Sequence, residues 1–138
     1  MAGVLADLAV HCRVGASGAF QPGRMDCCTW AADWVMSQTR RDPMAAWRGR
    51  YRTVLGLKRL LRRSGGMEDM LAAGMQSIGA TRIDPSEAVA GDIGVILAVS
   101  PSGDIEPSAA IRGQLGWLAK LGDGLWRAPS AMAAWRLP

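Results

Sequence analysis

The spacing of apolar residues changes near residue 90. Before that point they recur every three or four positions, as on one face of a helix. After it they come in short runs broken by Gly, Pro, Asp and Ser. Val4, Leu5, Leu8 and Cys12 share one side of a first helix over residues 2–12, and Gly15, Gly18 and Pro22 are expected to break the chain after it. Asp26 is placed to cap the next helix, residues 27–38, where Cys27, Trp30, Ala31, Trp34 and Val35 form a stripe. Asp42 followed by Pro43 is a favourable helix start. A further amphipathic helix turns Val54, Leu57, Leu60 and Leu61 inward and ends at Gly65 and Gly66. A short helix beginning at Met67 is closed by Gly79.

The second part reads differently. Ile93 to Val99 is an unbroken apolar run suited to a buried strand, followed by a turn at Pro101 to Gly103 and a second short run. Residues 113–138 read as short strands and turns, with a brief helix near Ala131. Helices first and strands after is the α+β order, here with a small, mostly antiparallel sheet. The 138 residues suit one domain, 1–138, able to bury roughly two-thirds of its unfolded surface. There is no internal repeat and no low-complexity linker.

Composition narrows the function classes. Six Trp and eight Met stand against one Tyr and one Phe, a bias that suits core filling or partner contacts. A net charge of +4 suits an anionic partner, yet the cations are scattered except at Lys58, Arg59, Arg62 and Arg63, which read as a solvated helix face. Trp117, Trp126 and Trp135 fall nine residues apart beside Arg127 and Arg136, a pattern open to base stacking but better suited to sheet packing plus an interface. A nucleic-acid partner is therefore not the expectation. Three Cys and one His give too few soft ligands for a zinc site, so no metal and no cofactor is expected. "SGGMED" lacks the Lys-Ser/Thr of a phosphate loop. No signal peptide is expected, and no apolar run reaches the 18 or so residues of a membrane span. Asp26 and Asp33 lie two helical turns apart and read as a cap and a solvated or Arg-paired residue rather than a catalytic pair.

The chemistry worth weighing is at "FQPGRMDCCTWAADWV", where a thiol sits at the mouth of a helix. A free thiol titrates near 8.5, so little of it is nucleophilic at neutral pH. The positive end of a helix lowers that value. A His beside it then holds the proton and a third group orients the His.

Asp-Cys at a helix start, followed some 60 residues on by a Gly-Asp that opens a β-run, resembles the NlpC-type papain-like domains. More narrowly, "DCCTWAADWV", "DPMAAWRGRY", "GGMEDM", "GDIGVI", "SAAIRG" and "AAWRL" resemble a group of small phage and prophage tail-cluster proteins related to that superfamily. The resemblance covers roughly residues 4–137. It implies a papain-like fold with Cys27 in the place of the family thiol and Cys28 as its inert neighbour.

The chain departs from the pattern where the base belongs. Active members carry a His at the opening of the strand after the "GD" strand; here that stretch reads "EPSAAIRG" and Ser108 occupies the place. No His follows His11, which reads as a partly buried structural residue on the first helix. Asp26, Asp92 or Glu106 could face the thiol, but a carboxylate raises a thiol pKa. The resemblance thus implies a structural component of a phage or phage-derived tail. Such a protein is made in the bacterial cytoplasm, placed at or near the tail tip and docked on hub, baseplate or tip proteins. The alternative is an active cysteine peptidase or amidase that opens peptidoglycan during genome delivery. Cys27 would be its nucleophile, and His11 or a residue of another subunit its base.

Overall fold

A computed structural model describes residues 2–100 and 102–138. Four helices come first: α1 (Ala2–Ser17), α2 (Cys27–Thr39), α3 (Val54–Arg63) and α4 (Met67–Ser77). Six strands follow: β1 (Thr81–Ile83), β2 (Ile93–Val99), β3 (Ile105–Arg112), β4 (Trp117–Leu121), β5 (Gly124–Ala128) and β6 (Ala133–Arg136). They form one sheet in the order β1-β6-β2-β3-β4-β5, with every pair antiparallel. The chain is an α+β domain.

Most of the expected elements form, and the differences have local causes. Gly15 does not break α1, because the helix packs on Trp30 there. A Cβ on Gly15 would lie 2.4 Å from the Trp30 Nε1, so the glycine permits a close helix contact. The segment after Asp42 forms consecutive turns instead of a helix. Its carboxylate accepts from the Met44 N–H at 2.9 Å and from the Arg48 Nε at 2.8 Å, and Gly49 at φ 83° ends the run. On α3, Leu57 and Leu60 are buried as expected, but Val54 is exposed. The brief helix expected near Ala131 is absent: residues 133–136 are β6, inserted between β1 and β2. Three-residue β1 carries no periodic signal and was not foreseen. Of the turn expected at Pro101 to Gly103, Pro101 lies outside the described residues, while the Gly103 N–H donates to the Ser100 carbonyl at 2.9 Å.

α2 is enclosed almost all round. Eight of its thirteen residues are buried, including Trp30, Trp34 and Val35, so it is the central helix of the layer. Its core joins α2, α3 and α4 to Ile93, Val95, Ala109, Ile111, Ala133 and Trp135 of the sheet. A second cluster gathers Ile96, Ala98, Ala110, Trp117, Ala119, Ala128 and Ala134. Its alanines leave room for one large ring, and Trp117 fills it against Gly94, where a Cβ would come within 2.5 Å of the indole. Small residues around one Trp let the sheet curl, bringing β2 and β5 together although two strands separate them in the sheet order.

Candidate functional site

The site begins with the turn before α2. Gln21 and Met25 pair across it, and Gly23 sits at φ 85°, where a Cβ would come within 2.6 Å of the Tyr51 carbonyl oxygen. That turn delivers Asp26 to the helix start with no exposed surface. One carboxylate oxygen accepts from the Thr29 N–H at 2.9 Å and the Thr29 hydroxyl at 3.1 Å. The other accepts from the Gly23 N–H and the Tyr51 hydroxyl, both at 2.7 Å. The Asp26 N–H donates back to the Thr29 hydroxyl at 2.9 Å, completing a capping box. Asp26 is therefore the cap expected from sequence. It also pins the α2 start to the segment before α3, where burial, then the neighbouring Cys28 and the Asp26 charge, push the Tyr51 pKa far up.

Cys27 is the first residue of α2 and is buried. Its Sγ lies 3.8 Å from that of Cys28, which in turn lies 3.7 Å from the Met67 Sδ. Of the two thiols, Cys27 has the lowered pKa. The Cys28 thiol stabilises the Cys27 thiolate by hydrogen bonding, while burial and the Asp26 charge oppose it and the Ser108 hydroxyl and Ala109 backbone assist it. Cys28 is held well above an ordinary thiol by its role as donor and by burial. The start of α2 adds its positive potential at Cys27, set against the Asp26 carboxylate that caps it.

Sequence reasoning placed Ser108 where a His would stand, and β3 does bring Ser108 and Ala109 to Cys27. The single Ser108 hydroxyl hydrogen goes to the Ala109 carbonyl at 3.1 Å and has to turn from it to reach a Cys27 thiolate. A hydroxyl can solvate a thiolate but cannot hold its proton at neutral pH.

The other candidate bases are engaged elsewhere. The His11 Nε2 is 2.8 Å from the Trp30 carbonyl, its ring stacks on Trp30 at 5.0 Å, and the Trp30 Nε1 donates to the His11 carbonyl at 3.2 Å. Because a carbonyl only accepts, Nε2 carries the hydrogen; the ring is held on Trp30, and His11 is not among the groups that act on Cys27. Burial lowers its pKa, with the Trp30 contact and Asp33 opposing. Asp92 accepts from the Val89 N–H at 2.8 Å and pairs with Arg136 at 3.0 Å. Glu106 pairs with Lys58 at 3.3 Å, and Asp33 with Arg48 at 3.1 Å. Among the described residues no group of three or more His, Cys, Asp or Glu is arranged to hold a metal ion, and no helix is long and apolar enough to cross a membrane.

The tail Trp residues do not make a stacking platform. Trp117 and Trp135 are buried, Arg82 lies over Trp135 at 5.2 Å, and only Trp126 is exposed. One cleft of about 250 Å³ lies beside Trp34, Asp92 and Arg136 and another of about 450 Å³ beside Asp84, Arg112 and Trp117, and neither is lined by Cys27.

Three participants escaped sequence reading. Thr29 could have been found, since Asp-x-x-Thr before an apolar run is a variant of the capping-box spacing. Tyr51 and Met67 are brought in from other elements, and nothing local marks them. No curated protein and no solved structure matches the chain. The profile of a domain of unknown function, DUF6950, spans residues 5–137, and the chain belongs to that family.

Proposed function

We propose that the chain is a structural component of a phage or phage-derived tail, at or near the tip, where a papain-like domain without its acid–base partner docks on hub or baseplate proteins. The carrying observation is at Cys27. The thiol has the helix-end seat of a nucleophile, but its neighbours are Cys28, Asp26, Ser108 and the Ala109 backbone, and none is a proton acceptor suited to neutral pH. Cys27 is also buried, with 7 % of its surface exposed, which restricts the approach of an amide carbon. The resemblance to phage tail-cluster proteins supplies the setting, and the helix-then-sheet order with the thiol set against β3 supports the papain-like reading. Function then rests on surface complementarity, with no bond broken.

The competing reading is a cysteine peptidase or amidase acting on peptidoglycan, favoured by the lowered Cys27 pKa and needing a base from another chain. Purified protein and the Cys27→Ala variant are incubated with peptidoglycan, alone and with tail particles added. Equal, background release from both is expected. Release by the parent that the variant lacks would overturn the structural reading. Antibody labelling of intact particles should mark the tail tip; label on the capsid or none on particles would overturn the location.

A further inference from the structure

We infer that the bare face of the β2–β3 hairpin, with the cationic side of α3 beside it, is a docking surface for a protein groove that is apolar at its centre and rimmed by Asp and Glu. The inference rests on the reading of the chain as a docking protein and names the chemistry of its partner.

Residues alternate sides along a strand, so Leu97 and Val99 share one face of β2. Ile105 lies directly opposite Val99 and joins them. Leu97 is 56 % exposed, Val99 46 % and Ile105 71 %, while Ile96 and Ala98 on the other face are buried. The hairpin thus has one packed side and one bare aliphatic row. Its neighbours do not reach the outer half: β6 pairs with β2 only from Ile93 to Val95, and β4 with β3 only at Ile111 and Arg112.

The Lys58–Glu106 pair at 3.3 Å ties this hairpin to α3. That helix exposes Val54 and Leu55, which add apolar surface. It also lies in the most one-sided stretch of the chain. Residues 43–67 contain seven of the sixteen cations and none of the twelve acids. Arg50, Arg52, Arg59, Arg62 and Arg63 are exposed there, and none of them figures in an ion pair among the described residues.

Charge complementarity selects the occupant. The cations call for an anionic rim, and the aliphatic row calls for an apolar centre. Nucleic acid supplies the first but would leave Leu97, Val99 and Ile105 against phosphate or water. An anionic membrane would have to accept the hairpin tip, where Ser102, Gly103 and Asp104 are exposed and polar. A carboxylate-rimmed protein groove meets both demands.

The test uses the full chain and four probes. These are a 20-residue amphipathic peptide of Leu and Glu, its Leu and Lys counterpart, a 20-nucleotide single-stranded DNA, and phosphatidylglycerol vesicles. Binding is followed by anisotropy or co-sedimentation for the parent, for Leu97→Ser/Ile105→Ser and for Arg59→Glu/Arg62→Glu. These sites are exposed, and matched thermal unfolding confirms that the variants fold. The acidic peptide is expected to bind, and each variant to weaken it at least about tenfold. The Lys peptide should not bind. Absence of acidic-peptide binding, indifference to either variant, or tighter binding of DNA or vesicles would overturn the inference. So would self-association by sedimentation that Ile105→Ser abolishes, because the occupant would then be a second copy. Background peptidoglycan release alongside any of these outcomes leaves the non-hydrolytic reading standing while the docking surface falls.

Discussion

At the scale of single residues, Asp26 matters more than the thiol beside it. Its two oxygens take four hydrogen bonds with no exposed surface. An amide in its place keeps one accepting oxygen and turns two donors on the other pair. Asp26→Asn is therefore expected to cost about 2–4 kcal/mol, from a weakened cap and orphaned buried donors, read as a fall in the denaturant midpoint. His11 gives a signed pH effect. Its folded pKa lies below the ordinary 6.5 because burial opposes its charge. As pH falls below that value the unfolded chain binds a proton that the folded chain refuses, so stability is full above it and declines with acid. His11→Phe keeps a ring on Trp30 and removes the proton. Its melting temperature should be lower at pH 7 but fall less than the parent's between pH 7 and 5.5. A steeper fall in the variant would contradict the assignment. At Cys27, alkylation across pH with peptide mapping should give a lower apparent pKa than at Cys12, whose pKa is raised by burial. Cys28→Ala should raise the Cys27 value, since the strongest stabiliser of its thiolate is then gone.

At the scale of elements, two glycines decide how closely things pack. Gly94 lies under the Trp117 ring, and a Cβ there would also come within 2.8 Å of the Ala133 carbonyl oxygen. Gly94→Ala should destabilise by about 1–3 kcal/mol through overpacking. Near-UV circular dichroism should change with it, because Trp117 is the ring displaced. The sequence shows why some of this was legible. The long periodic helices and the Ile93–Val99 run carry their burial in their spacing, and Asp26 stands before an apolar run, where a cap belongs. What escaped depended on tertiary contact. Gly15 reads as a breaker until Trp30 packs on it. The stretch after Pro43 has a helical start, but its Arg48 side chain turns back to donate to Asp42 and Gly49 ends the run. β1 is too short to show a period. β6, "AAWR", is rich in good helix formers, and only its place between β1 and β2 makes it a strand.

At the scale of the whole molecule, that last strand closes the sheet. β6 pairs with β2 on one side and β1 on the other, so the end of the chain sits between a central strand and an edge. Ala133 and Trp135 enter the main core and Ala134 the second cluster, which means that three consecutive residues join both. Trp34 and Arg136 add polar ties to the Gly91–Asp92 corner before β2, through the Trp34 Nε1 to the Gly91 carbonyl at 2.9 Å and the Arg136–Asp92 pair at 3.0 Å. Removal of residues 132–138 would expose the open edge of β2, strand β1 would lose its only partner in the sheet, and both cores would lose contacts at once. Such a chain is expected to lose cooperative unfolding, not merely to melt earlier. Trp135→Ala, which keeps the backbone ladder, should lower stability by about 3–5 kcal/mol with the transition still sharp. Calorimetry on the two separates the ladder from the side chain. A truncated protein that still melts in one cooperative step would show that the helical layer and β2–β5 fold without the closing strand, and the two cores would then be independent.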